Sequence, residues 1–294
     1  SFRHCCQAIG RPYCVRLPTL RSSPKRTTQI ALAITTVLAA CTGQQPPPTA
    51  ATPASAVASD AAMDATFADL SKRTLAEWMA LSPVNATQIG DHRFDGQLDD
   101  MSATGRLKRV TTNKKLLTEL DTIDASKLSR ENQVDAAILR NQLQSDIWDI
   151  DVLQSWAWDP QVYGGLAGSA IYGLMSREFA PLPQRIAAAT ERMEKLPALF
   201  AQARENLDPA RVPLIHAQTV AKQNAGILSI VDTFITPHLG ELPKAQADRT
   251  RAAIEGLKKA VAQQQTWLDK TLVPNAQGDF RIGAEKYAQN LKFA

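Results

Sequence analysis

The sequence of 294 residues is 44% hydrophobic with four cysteines, enough apolar content for a sizeable core and too few thiols for a disulfide framework. Its formal charge of +4 is uneven: Arg3, Arg11, Arg16, Arg21, Lys25 and Arg26 all precede Cys41, with no acidic residue among them. With those six removed, 27 basic residues face 29 acidic ones, and a chain so balanced lacks the cationic surface that argues for a nucleic-acid partner.

In chain order, residues 1–24 read as upstream or leader sequence, since the chain opens on Ser1 and no methionine precedes Met63. Residues 25–41 read as a lipoprotein signal peptide. Lys25 and Arg26 hold the cytoplasmic side, Ile30 to Leu38 forms an apolar stretch too short to span a bilayer, and Leu38-Ala39-Ala40-Cys41 resembles the lipobox of bacterial lipoproteins. Cys41 is then the lipidation site and the lipid is the expected membrane contact. Cys5, Cys6 and Cys14 lie ahead of it, so no thiol remains to pair in the mature domain. Thr42 follows Cys41 where retention at the inner membrane would ask for Asp, so the expected place is the periplasmic side of the cell envelope, at the outer membrane rather than the inner. Residues 42–59, with Pro46-Pro47-Pro48 and almost no charge, read as a disordered tether.

From residue 60 to 294 the pattern is helical. Phe67, Leu70, Thr74, Trp78 and Leu81 recur at helical spacing, and Pro83 closes that segment ahead of a polar loop through Asn85, Gly90, Asp95, Gly96 and Asp99. Leu107, Val110, Leu117 and Leu120 predict a second helix. Ser129 is the N-cap of a third, with Leu139, Leu143, Ile147 and Ile150 as its buried stripe. Gly164 to Ser176 reads as a short buried helix. Pro181 and Pro183 open another through Ile186, Met193 and Leu196, and Pro197 begins or kinks its continuation to Leu207. Pro213 opens a long helix carrying Val220, Ile227, Ile230, Val231 and Phe234, which Pro237 ends, and Lys244 to Leu272 forms a further long helix. The predicted fold class is all-α, a multi-helix array of mostly antiparallel helices. Gly283 to Ala294 starts an amphipathic helix whose apolar face needs a partner the remaining sequence does not supply, so the chain is expected to be truncated.

Few residues suggest chemistry. After Cys41 the histidines are His92, His216 and His238, with no His-Glu-x-x-His among them, so no metal ligands are expected here. His238 and Glu241 sit in a helix-to-helix turn without a third ligand. His92, among Asp91, Asp95 and Asp99, suits either an acid–base role or a hydrogen-bonded structural one. Ser169 lacks a Gly-x-Ser-x-Gly frame, and Gly164, Gly165 and Gly168 follow no strand, so close helix packing is their reading. Trp148, Trp156 and Trp158 near Tyr163 could line a cleft or fill the core.

A family resemblance joins these pieces. Pro83, Ala86-Thr87, Gly90, His92, Asp95 and Leu98, then Ile123-Asp124, Leu128-Ser129 and Asp135, Asp159-Pro160 with Tyr163, and Arg177 with Phe179-Ala180-Pro181 look like the bacterial domain-of-unknown-function 885 family. Arg185, Pro197, Ala203-Arg204, Asn206-Leu207, Gly278, Phe280-Arg281-Ile282-Gly283 and Tyr287 continue the match, from about Phe67 onward. Members resemble exported or lipid-anchored helical zinc metallopeptidases longer than this chain, with the metal motif, a His-Glu pair followed by Pro-Gly-His, in their second half. The resemblance therefore implies a peptidase-like parent acting on a peptide-like substrate. It also implies that zinc belongs only to that missing half, so that this chain has no catalytic residue or cofactor of its own and is inactive alone. Arg281 and Tyr287 are then candidates for contacting a substrate carboxylate or oxyanion, or else anchors of the last helix. The competing expectation is a non-enzymatic binding module of the cell envelope.

Overall fold

Every regular element of residues 60–294, the part of the chain that the computed structural model describes, is helical. The leader, signal segment, lipobox with Cys41, and tether lie outside the described residues. Helix α1 (Ala61–Leu81) starts where Asp60 accepts hydrogen bonds from the amides of Ala62 and Met63, and it stops at Ser82, whose φ of −136° leaves the helical region. Pro83 does not lead into a loop. It is the first residue of a short helix, α2 (Pro83–Ile89), where its missing amide is harmless, and Val84, Ala86 and Thr87 are buried there. Gly90, at φ 95°, ends α2 in the left-handed conformation and returns its amide to the carbonyls of Ala86 and Thr87.

Helices α3 (Ala103–Asp121) and α4 (Arg130–Trp148) are capped by Ser102 and Ser129, whose side chains accept from the amides of Gly105 and Asn132. Phe67, Leu70 and Trp78 of α1, Leu116 and Leu120 of α3, and Leu139 and Leu143 of α4 form one apolar core. Leu107 stands outside it, 67% exposed, because α3 turns Val110, Asn113 and Leu116 inward instead. Of the buried Asn113 amide, Oδ1 accepts from Trp78 Nε1 at 3.0 Å while Nδ2 has no hydrogen-bond partner.

A second core is built by α5 (Gln161–Met175), α6 (Leu182–Asn206), α7 (Leu214–Gln223), α8 (Gly226–Phe234) and α9 (Lys244–Trp267). α6 lies along both α5 and α9, and contributes Ile186, Met193, Leu196, Leu199 and Phe200. Each fully buried aliphatic side chain of this kind contributes about 1.5–3 kcal/mol. That burial on both sides of Pro197 keeps α6 a single helix through a residue that costs an isolated helix about 3 kcal/mol. The helix expected from Pro213 through Phe234 is divided at Asn224 and Ala225, which stay in the right-handed region while the hydrogen-bond ladder lapses. The side-chain amide of Asn224 donates instead to Val261 O and Gln265 Oε1 of α9, both at 3.0 Å. Helices α4 and α9 each run into a π-helical turn, Asp149–Leu153 and Leu268–Leu272.

The described residues contain no strand ladder. An isolated bridge pairs Pro213 with Gly278 and leads the chain to α10 (Ala284–Asn290), which follows Gly283 at φ 86°. This last segment meets α4: Trp148 Nε1 donates to Gln289 Oε1 at 2.7 Å, and the Trp148 ring lies 5.7 Å from that of Phe293.

Candidate functional site

A buried arginine links the two cores. Arg192 of α6 has no exposed surface, and its guanidinium donates to Gln97 O, Ala170 O, Pro83 O and Thr87 Oγ1 at distances from 2.7 to 3.0 Å. The acceptors come from α2, α5 and the loop after α2, so one side chain ties three segments to α6. Burial pulls its pKa down to about 10, against the opposing charges of Asp95 and Asp99. It remains a cation at neutral pH, as a donor-only group surrounded by oxygen acceptors must.

His92 joins this junction at its outer edge. Its Nδ1 lies 3.0 Å from Asp95 Oδ2, Asp95 Oδ1 accepts from Thr87 Oγ1 at 2.6 Å, and Thr87 in turn accepts from Arg192. The imidazole stacks on Phe179 with ring centroids 3.6 Å apart. A carboxylate that orients one imidazole nitrogen is a usual arrangement for acid–base chemistry and equally for a structural tie.

Asp99 sits beneath the same junction and accepts from the amide of Val84 at 3.0 Å, with Arg109 at 3.8 Å. Burial pushes its carboxyl above the ordinary 3.8, although Val84, Arg109 and Arg192 all favour the charged form. A raised carboxyl favours the folded state fully below pH 3.8 and progressively less as pH climbs through the folded value. Asp99→Asn should therefore flatten the stability profile just above that pH, which denaturant midpoints in a pH series would show; an unchanged profile would place the charge elsewhere.

The other sequence candidates are apart from this junction. Arg281 is 72% exposed, 3.6 Å from Asp279 and 4.8 Å above the ring of its neighbour Phe280. Tyr287 is 57% exposed on α10. No hydrogen bond, ion pair or ring contact joins Arg281, Tyr287 and His92 to one another among the described residues. His238 pairs with Glu241 at 3.0 Å on the surface, and His216 Nδ1 lies 3.4 Å from Asp159 without the alignment of a hydrogen bond. The indole nitrogens of Trp156 and Trp158 donate to the carbonyls of Ile150 and Leu153, and Arg106 lies 3.7 Å over the Trp156 ring.

A cavity of about 400 Å³ opens between α5 and the α7–α8 break. Gly164 and Gly168 face Val220 and Ile230 across it, and Gly165, Ile227, Phe200, Leu268 and Gln264 also line it. None of the three tryptophans of residues 148–158 lines it; Tyr163 does. Tyr163 is already engaged, donating to Trp156 O at 2.7 Å and accepting from Asn206 Nδ2 at 3.0 Å.

Arg192 and Gln264 were missed as site residues by sequence reasoning, though both leave a trace in it. Each is a polar residue placed at an apolar position of its helix: Arg192 between Ala189 and Leu196, Gln264 between Val261 and Leu268. Among the described residues no group of three or more His, Cys, Asp or Glu side chains could hold a metal ion.

These features define an all-α protein with two apolar cores, a buried polar junction between them and a cavity in the second. Residues 83–294 match the family described as bacterial protein of unknown function (DUF885), and the chain belongs to that family. A solved structure from Shewanella oneidensis, of a protein of unknown function named as a lipoprotein, is similar at a TM-score of 0.72 and 29% identity, covering 77% of this chain and 42% of that one. The chain thus spans less than half the length of that structure. No curated protein matches it.

Proposed function

We propose that this chain is the N-terminal helical part of an exported lipoprotein, anchored through Cys41 and facing the periplasm. In this reading the hydrolytic centre, of zinc-peptidase type, belongs to sequence beyond these residues. What supports the lipoprotein part of this reading is the similarity to the Shewanella oneidensis protein, which is named as a lipoprotein of unknown function and is matched over 42% of its length. Zinc hydrolysis needs a ligand cage that acidifies bound water, and residues 60–294 do not supply one. Their part in such a protein is to form a wall of the substrate cleft, with exposed Arg281 and Tyr287 as donors to a substrate oxygen.

The full-length gene product should hold zinc and hydrolyse peptides, and should lose that activity on chelation. A product without zinc or hydrolysis would overturn the reading. In that protein Arg281→Ala should lower kcat/KM about tenfold, the loss of one charge-assisted hydrogen bond, with an unchanged Tm because the side chain is solvated. Unchanged kinetics would remove Arg281 from the cleft. Anchoring is tested separately: Cys41→Ala should move the protein from the membrane fraction to the soluble fraction.

A second reading, a non-enzymatic binding module of the cell envelope, is favoured by one observation, the cavity between α5 and α7–α8. Preformed concave sites of this size are the usual form of small-molecule sites.

A further inference from the structure

We propose that the cavity between α5 and the α7–α8 break binds an acyl chain carrying an oxygen acceptor, the chemistry shared by free fatty acids and lipid tails. The inference rests on the binding-module reading and gives that site its ligand class.

Three observations carry it. The first is an amide bonded on one side only. Gln264 is 6% exposed and lines the cavity. Its Oε1 accepts from Arg204 at 2.7 Å, which fixes the orientation of the amide because an arginine can only donate. Nε2 makes no hydrogen bond to the described residues and is not enclosed, since the buried side-chain atoms without a partner belong to Ser71, Asn113 and His216. A donor on the cavity lining can give its hydrogens to an oxygen of whatever fills the space.

The second concerns the glycines. Close packing accounts for Gly164, where an added Cβ would lie 3.3 Å from Val220, but not for Gly165, where it would meet nothing within 4 Å, nor for Gly168, where it would make an ordinary 3.9 Å contact with Ile230. Glycine inside a helix costs about 0.5–1 kcal/mol relative to alanine. These two keep that cost without a protein neighbour that requires it, and both line the cavity, Gly165 exposed and Gly168 half-buried, so a large side chain at either would take up space there.

The third is size and lining. Val220, Ile227, Ile230, Phe200 and Leu268 give the space an apolar surface. At about 30 Å³ for a water-sized group, the 400 Å³ takes roughly a dozen such groups. A medium-length alkyl chain ending in a carbonyl or carboxylate has that volume, that polarity and the acceptor Gln264 lacks.

The test uses the full chain with Cys41→Ser, so that no attached lipid competes, titrated calorimetrically with dodecanoate. Saturable 1:1 binding is expected. Gly165→Leu, which projects a side chain into the space, should abolish it. Gly165→Ala, which meets no neighbour, should raise Tm and show that the position itself tolerates a side chain. Should Gly165→Leu not fold, Gly168→Val serves in its place. Gln264→Glu keeps the acceptor for Arg204 but removes the donor, and should weaken dodecanoate binding at least tenfold. Phosphatidylglycerol vesicles supply the second arm: extraction of a tail by the wild type, and not by Gly165→Leu, assigns the source to lipid, and binding of dodecanoate alone assigns it to free acid. Absence of binding in both arms, or binding unaffected by Gly165→Leu, overturns the proposal. So does binding of an apolar peptide amide without dodecanoate, an outcome that would leave the binding-module reading standing. Zinc content and peptide hydrolysis of the full-length protein do not enter the measurement.

Discussion

Arg192→Leu is expected to cost about 3–5 kcal/mol of folding free energy and, at roughly 2–4 °C per kcal/mol for a domain of this size, to lower Tm by about 10 °C. The leucine fits the apolar surroundings of α6 but removes the guanidinium donor from the carbonyls of Gln97, Ala170 and Pro83 and from the Thr87 hydroxyl, of which Pro83 O keeps a bond from Thr87 Oγ1. It also leaves Asp95 and Asp99 without the buried cation that balances them. Arg192→Lys should recover little, since one ammonium cannot span acceptors arranged around a planar fork. The double variant with Asp99→Asn should be less damaging than the two single losses combined, because the variants share one network. A Tm for Arg192→Leu within a degree or two of wild type would show that burial alone holds the two cores together.

Gly278→Ala should act on one end of the molecule. A Cβ there would stand 2.0 Å from Arg211 O and 2.8 Å from Val212 C, closer than any real contact and against backbone rather than a flexible side chain. Relief requires the strand-like pairing with Pro213 to open, with loss of the Gly278 N to Val212 O and Gln277 N to Pro209 O bonds. Overpacking together with two lost hydrogen bonds amounts to about 2–4 kcal/mol. The cost is escaped by releasing residues 277–294, so global Tm should move little while amide exchange and protease cleavage in that segment rise sharply. In the full-length protein, activity should fall further than with Arg281→Ala, because Tyr287 is displaced as well. Unchanged exchange would mean that α10 is held by its contacts with Trp148 and Asn141 alone.

Much of this architecture was legible because helices announce themselves locally. Ser129 as a cap, the Leu139 and Leu143 stripe, the apolar Gly164–Ser176 segment and the Pro181–Pro183 opening all follow from period and capping chemistry. The differences come from tertiary contacts that period cannot express. Pro83 is a stop for α1 and also a start for α2, and a stop is what a linear reading sees first. Asn224 interrupts a periodic helix because its acceptors lie on α9, some 40 residues away in sequence. Pro197 is tolerated since the apolar residues on either side share one core. Of the candidate site, His92 with Asp95 was readable from a loop rich in carboxylates, but Arg192, which anchors both, resembles any charged residue on a surface helix until its three-dimensional surroundings are known.

Those surroundings have an evolutionary corollary. Three of the four groups that receive hydrogen bonds from Arg192 are peptide carbonyls, which every amino acid possesses. Within the family, the exposed side chain at 97 is thus at liberty to drift, and that at 170 is limited by its burial rather than by this bond, while an arginine at 192 is not free to change; its substitution should occur together with changes at Asp95, Asp99 or Thr87.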